Sequence, residues 1–195
     1  MDAQGWDHRY AETDLVWSAS PNRFVADELT GLPPGTAVDL AAGEGRNALW
    51  LASLGWRVTA VDFSAVALDK GRRLASARGL DVTWVHADLA DYTPPVVDLV
   101  LIAYLHVSPD LFEPVLRRAA AAVAPGGTLL AVGHDATNLT EGTGGPQDLS
   151  RLWTPAGLVA GLGDLAVRRA DRVRRPVSGA RDAIDTLVRA ERASS

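Results

Sequence analysis

Apolar and polar positions alternate between two rhythms from residue 36 onward. Thr36–Leu40 reads as a short apolar strand, and Arg46–Leu54 as a helix that Gly55 stops. Arg57–Val61 predicts a second strand. Ser64 is placed to cap a helix running through Ala77 and ended by Gly79, after which Val82–His86 reads as a third strand. Val96–Ala103 has almost no polar residue, the pattern of a strand buried on both faces of a parallel sheet. Ser108-Pro109-Asp110-Leu111 opens a helix, with Ser108 as N-cap, Pro109 at the first helical position and Asp110 and Glu113 in the first turn. Leu111, Phe112, Val115, Leu116 and Ala119 give it one apolar face. Pro125-Gly126-Gly127 stops the helical pattern, and Thr128–Gly133 is another apolar strand.

The later residues leave that rhythm. Asn138–Gly145 is a Thr/Gly-rich loop and Thr154–Gly161 a short helix opening on Thr154-Pro155. Leu165–Val173 and Ala183–Ala190 are strand-like with no helix between them, so they are expected to pair antiparallel. Strand–helix alternation followed by such a pair predicts an α/β fold: a Rossmann-like, seven-stranded, mostly parallel sheet with helices on both faces and a C-terminal antiparallel hairpin. The chain's 195 residues suit one domain. Within it, residues 1–35 form a mostly helical preface with a helix at Asn22–Leu29, residues 36–135 the sheet core, and residues 136–195 the loop, short helix and terminal hairpin.

Composition narrows the chemistry. The absence of cysteine excludes a disulfide, a thiolate metal site and a cysteine nucleophile, and no metal is expected. Lys70 is the single lysine, which disfavours Schiff-base chemistry. The net charge of −5 argues against general nucleic-acid binding, and the cluster Arg168, Arg169, Arg172, Arg174 and Arg175 reads as solvated strand and loop faces. No apolar run approaches the roughly 18 residues that span a bilayer, and the acidic first residues are wrong for a targeting peptide. A soluble cytoplasmic protein is the expectation. The oligomeric state is not readable from the sequence.

The densest constellation is Val38-Asp39-Leu40-Ala41-Ala42-Gly43-Glu44-Gly45-Arg46-Asn47, where the first strand becomes the first helix. Glycine there allows positive φ and close backbone approach, and helix N-terminal amides favour a carboxylate or phosphate. Asp62 ends the second strand, where an acid can accept both hydroxyls of a ribose. Gly43-x-Gly45-x-x-Ala48 also fits a dinucleotide fingerprint. Asp39, however, would repel a pyrophosphate and attract a cation. Asp88 follows the third strand, placed to accept from an exocyclic amine.

These residues resemble the class I S-adenosylmethionine-dependent methyltransferases, whose first motif has the form acid-x-G-x-G-x-G; here Ala41 stands where the first glycine is usual. Within that superfamily the chain is most similar to small bacterial methyltransferases of the tellurite-resistance type. The likeness runs through Trp6-Asp7-x-Arg9-Tyr10, Gly43-Glu44-Gly45-Arg46-Asn47, Gly55-Trp56-x-Val58-x-Ala60-Val61-Asp62-Phe63-Ser64 and Pro125-Gly126-Gly127. The resemblance implies S-adenosylmethionine as methyl donor. It implies that Asp39, Gly43 and Gly45, with Ala41 and Asn47, hold the methionine moiety. It further implies Asp62 on the ribose, Phe63 on one adenine face, Asp88 on the adenine amine beside Ala87 and Leu89, and Ala103 lining the methyl donor.

Displacement on a sulfonium needs alignment and exclusion of water, and a base only when the acceptor starts protonated. Tyr104 and His106 follow the fourth strand and His134 and Asp135 the fifth, so they are the candidate catalytic and acceptor-side groups; Asp135 either orients His134 or starts the turn. Trp50, Trp56 and Trp84 read as packing residues, whereas Trp6, Tyr10 and Trp17 lie in the preface and would serve a lid, with Trp17 and Arg46 near the acceptor. The expected function is methylation of a small molecule, at a soft S, Se or Te centre. An O- or N-methyltransferase with a histidine base is the alternative. An NAD-dependent reductase, disfavoured by Asp39, and a non-catalytic binding domain complete the alternatives.

Overall fold

A computed structural model describes residues 20–194. It contains two compact units, the first ending at Thr93 and the second beginning at Pro94. Their strands belong to a seven-stranded, mostly parallel sheet with an antiparallel C-terminal end, so the architecture expected from the sequence is the one found.

In the first unit, α1 (Arg23–Leu29) is capped by Asn22, whose side chain accepts from the Phe24 and Val25 amides. Then follow β1 (Thr36–Leu40), α2 (Arg46–Ser53), β2 (Arg57–Asp62), α3 (Ala65–Arg78) and β3 (Val82–His86). The strands are parallel in the order β3-β2-β1, with Leu40 opposite Val61 and Asp62 opposite His86. Ser64 caps α3 by accepting from the Ala67 amide, and Gly79 closes that helix in the left-handed region. Leu40, Leu49, Leu51 and Leu68 are fully buried, each contributing about 1.5–3 kcal/mol of apolar burial.

The second unit runs β4 (Val97–Ala103), α4 (Pro109–Ala121), β5 (Val123–His134), α5 (Asn138–Glu141), α6 (Pro155–Ala160), β6 (Ala166–Arg175) and β7 (Ala183–Glu191). Its strand order is β4-β5-β7-β6, with β7 antiparallel to both neighbours. Leu99, Leu101, Ile102, Leu129, Leu130 and Leu187 fill its core.

Three local expectations need correction. The fifth strand begins at Val123 rather than Thr128: Val97 pairs with Val123 and Leu99 with Thr128, so Pro125-Gly126-Gly127 is a bulge inside the strand. Proline has no amide to give the ladder, and a bulge tolerates it. Ser108 precedes α4 with extended dihedrals, but its hydroxyl makes no capping bond. The Thr/Gly-rich stretch after β5 starts with one helical turn, α5, because the buried Asn138 side chain accepts from the Ile184 amide (2.7 Å) and donates to the Gly144 carbonyl (2.9 Å). That side chain folds the loop back on itself.

Candidate functional site

In the first unit, β1 delivers Asp39 and then turns sharply. Ala41 (φ 61°), Gly43 (φ 56°) and Gly45 (φ 76°) all lie in the left-handed region, and Gly45 is the N-cap of α2. Glycine pays no steric penalty there; Ala41, at the position where the family motif has glycine, carries its Cβ through the same turn. Gly45 is required for a second reason. A Cβ there would stand 2.3 Å from the ring of Trp84, and one on Gly71 would meet the same ring at 2.3 Å. Trp84 is thus a packing residue of the loop, as expected from its place on β3.

Asp39 is 1% exposed, and neither of its carboxylate oxygens has a hydrogen-bond partner among the described residues. Burial, reinforced by the nearby Asp62 charge, pushes its carboxyl from 3.8 up to about 7, with Arg46 and the Ala48 amide pulling the other way. An ionised carboxylate left bare in a protein interior is costly, and a cation is what would repay it.

Asp62 has the opposite character. Its two oxygens accept from the Gly43 amide (2.7 Å) and the Ser64 amide (2.9 Å), so this acid staples the glycine loop to the end of β2. Asn47, also buried, accepts from the Asn22 amide (2.9 Å) and ties α1 to the first turn of α2. Glu44 is buried beside Lys70 (3.3 Å), which gives the chain's single lysine a place holding the loop. Phe63 is half-buried and its carbonyl contacts His86 Nε2 (2.9 Å). Ala87 donates its amide to the Asp62 carbonyl (3.0 Å), Leu89 is buried, and Asp88 is exposed, accepting from the Ala90 amide (2.8 Å). Donor-side expectations other than Ala103 therefore fall on one loop cluster of the first unit. Trp6, His8, Tyr10 and Trp17 lie outside the described residues.

In the second unit, Ala103 ends β4 half-buried and Tyr104 follows with φ 60°. Tyr104 donates its hydroxyl to Asp185 Oδ2 (2.8 Å), and burial together with the Asp185 charge raises its pKa above the ordinary tyrosine value. His106 has both ring nitrogens engaged: Nδ1 lies 2.8 Å from the Arg151 carbonyl and Nε2 3.1 Å from the His134 amide. A carbonyl requires a donor and an amide an acceptor, so the ring is neutral with its proton on Nδ1. Burial lowers its pKa to about 4. His134 stacks on His106 (5.3 Å between ring centres), meets Tyr104 edge-on (5.2 Å), and places Nδ1 3.2 Å from Asp185 Oδ1. His106 in turn packs on Trp153.

Asp135 does not touch His134. It starts the turn, accepting at Oδ1 from the Thr137 amide (2.9 Å) and hydroxyl (2.7 Å) and at Oδ2 from Thr186 Oγ1 (2.6 Å), with Arg172 Nε 3.1 Å away. The acid beside His134 is Asp185, a residue the sequence reading passed over inside a strand; an acid and a threonine amid Ala183-Ile184-x-x-Leu187-Val188 were the available signal. The arginine cluster is correspondingly less idle than expected. Arg172 and Arg175 hold the buried Asp135 and Asp185, and Arg168 and Arg169 pair with Glu191 and Asp171.

Residues 37–127 match the family model described as a methyltransferase domain. The match spans just under half of the chain, so this stretch is similar to such a domain. Solved structures agree in fold. One, from work on the conversion of a disulfide bond into a thioacetal group during echinomycin biosynthesis, is 22% identical with a TM-score of 0.77, covering 98% of this chain and 91% of the other. TehB from Haemophilus influenzae is 16% identical with a TM-score of 0.75, over 88% of this chain and 62% of TehB. Magnesium protoporphyrin IX methyltransferase from Synechocystis PCC 6803, with bound S-adenosylmethionine, is 18% identical with a TM-score of 0.65, over 98% and 79%. No curated protein matches the sequence. At these identities the likeness establishes the shared methyltransferase fold.

Proposed function

We propose that this methyltransferase domain uses S-adenosylmethionine to methylate a small molecule at a soft sulfur, selenium or tellurium centre. The observation that carries the donor assignment is Asp39: a buried carboxylate without a hydrogen-bond partner among the described residues, under a loop whose left-handed turns bring backbone close. A ligand bearing an ammonium and a sulfonium fits that acid, and its carboxylate fits the amides at the start of α2. A dinucleotide pyrophosphate does not. When bound, S-adenosylmethionine supplies a methyl group on a sulfonium, and the chain's part is to bind, orient and exclude water. Asp39, Ala41, Gly43, Gly45 and Asn47 take the methionine end, Asp62, which keeps the loop in register, takes the ribose, and Phe63, Ala87, Asp88 and Leu89 surround the adenine.

The soft acceptor is supported by the neighbour tied to disulfide-to-thioacetal conversion, and the tellurite-resistance-type subgroup by the likeness to TehB. A small acceptor rather than a nucleic acid suits the acidic balance and the ion-paired arginines of β6. Among the described residues no helix is long and apolar enough to cross a membrane, which suits work in the cytoplasm. A second reading, an O- or N-methyltransferase with a histidine base, is favoured by His134, whose Nε2 carries no hydrogen bond from the described residues.

Calorimetry with S-adenosylmethionine, S-adenosylhomocysteine and NAD tests the donor: the two adenosyl ligands should bind and NAD should not, and tight NAD binding without S-adenosylhomocysteine binding overturns the reading. Asp62→Ala should weaken donor binding by about 100-fold. A screen of thiols, selenite, tellurite and phenols, followed by S-adenosylhomocysteine release, decides the acceptor; turnover of phenols alone would replace the soft-centre reading by the second one.

A further inference from the structure

We infer that Asp185 is the positioning residue that fixes His134 with its proton on Nδ1 and its lone pair on Nε2, and that this pair accepts the proton of a protic acceptor, a thiol in the first instance. The inference rests on the methyltransferase reading and adds to it the tautomer, the acid that sets it and the class of acceptor.

The argument starts from two atoms. His134 Nδ1 and Asp185 Oδ1 are both buried, both lack a hydrogen-bond partner among the described residues, and lie 3.2 Å apart. A nitrogen lone pair facing a carboxylate oxygen at that distance would be repulsive, whereas an N–H would be attracted. The contact is bent rather than aligned, as base-to-orienter contacts often are before substrate arrives. A proton on Nδ1 leaves Nε2 as the acceptor of the neutral ring, and no described residue bonds to it. His134 is not sealed off: its side chain is 13% exposed, against none for Asp185.

Everything packed around the pair holds it in that state. From β7, Asp185 lies opposite His134 in register. From β6, Arg175 Nε holds Asp185 Oδ2 at 2.9 Å and keeps the carboxylate charged. From the residues after β4, the Tyr104 hydroxyl donates to that same oxygen, so its proton is committed to fixing the carboxylate. His106, neutral and engaged at both nitrogens, stacks under the ring without competing for the proton. On β5 itself Asp135 is turned towards Thr137, Thr186 and Arg172. Of the three groups named as catalytic from the sequence, His134 is left as the base, Tyr104 becomes a positioning residue and His106 a packing one. The loop after α5 adds a wall: a Cβ on Gly145 would stand 2.7 Å from His134 Cδ2, so that residue must stay glycine for the ring to keep its place.

The reaction balances without a further co-reactant. The thiol proton moves to His134 Nε2, sulfur forms the new bond to carbon as the carbon–sulfonium bond breaks, S-adenosylhomocysteine leaves with the electron pair, and the imidazolium returns its proton to water. Asp185 stays ionised and balances the imidazolium charge while it lasts.

Nitrogen-15 NMR of the imidazole of the full chain reads the tautomer directly and needs no variant. The neutral ring of His134 should carry its proton on Nδ1; a proton on Nε2 overturns the inference. Kinetics with a thiol acceptor complete the test. Asp185→Asn, whose amide can donate to Nδ1 and drive the proton to Nε2, should lower kcat by about 100-fold or more and flatten the acidic limb of its pH profile. S-adenosylhomocysteine affinity by calorimetry should change less than about twofold. Unchanged kcat and pH profile in that variant overturn the inference while leaving the methyltransferase reading intact. Failure of the wild-type chain to bind S-adenosylhomocysteine overturns the methyltransferase reading instead, and is told apart because the tautomer is read on the protein alone.

Discussion

The two units bury aspartates in contrasting ways. Asp39 of the first is enclosed and unpartnered, its carboxyl raised to about 7 by burial and by Asp62. Asp135 of the second is equally enclosed, but hydrogen bonds from Thr186 and Thr137 and the charge of Arg172 outweigh its burial and hold its pKa below the ordinary value. Asp185 stands between the two: Arg175 and Tyr104 satisfy Oδ2 and, with His134, hold its pKa down against its burial, while Oδ1 faces His134 without a hydrogen bond. A buried acid whose donors all come from the protein is a structural joint, and one without them is an open valence for a ligand. Burial alone does not separate the two cases; the inventory of partners does.

The sharpest way to break this comparison is to neutralise one acid of each kind. Asp135→Ala leaves the buried Thr186 hydroxyl and the Thr137 amide and hydroxyl without their acceptor, while the half-exposed Arg172 stays solvated, and should cost about 1–3 kcal/mol of stability by denaturant unfolding. Asp39→Asn should do the reverse at pH 8, raising the melting temperature by roughly 5 °C or more while weakening S-adenosylmethionine binding at least tenfold. Loss of stability in both variants would erase the distinction.

Proton linkage sharpens the same contrast. The folded pKa of Asp39 lies above its unfolded value of 3.8, so between those pH values the native state binds more protons than the unfolded one. Its contribution to stability therefore falls as pH rises from about 4 to about 7 and stays lost above that. Asp135 and Asp185, with depressed folded values, contribute above the unfolded value and lose that contribution as pH falls below it. On the proposed role of Asp39, S-adenosylmethionine binding should weaken by up to about tenfold per unit below pH 7, and calorimetry at pH 6 and pH 8 checks it. A pH-independent affinity would remove Asp39 from the donor site. The smallest effect belongs to the surface: Ser108→Ala should change stability by less than about 0.5 kcal/mol, because the hydroxyl makes no capping bond.

What could be read from the sequence follows the same line. The glycine loop was legible because its parts are contiguous: Asp39, Gly43 and Gly45 are one turn of chain, and turn chemistry is local. The seven strands were legible because periodicity and glycine stops are local too. Asp185 was not, because its meaning comes from residues far away in the chain, Tyr104 lying 81 positions earlier. The antiparallel register of β5 and β7 sets it opposite His134, and pairing register is not written in the strand itself. The bulge at Pro125-Gly126-Gly127 was misread as a stop for a related reason: those residues end a helix or interrupt a ladder equally well, and only the partner strand decides.

The ring of Trp84 lies against both Gly45 and Gly71, one the N-cap of α2 after the glycine loop and the other buried in the middle of α3. Three positions far apart in the chain therefore share one packing constraint. A larger residue at 71 fits only if the indole at 84 is cut back or displaced, and the same ring opposes a side chain at 45. The third strand and the glycine loop are thus coupled through one indole ring, so a change at position 84 reaches the turn that begins the first unit's second helix.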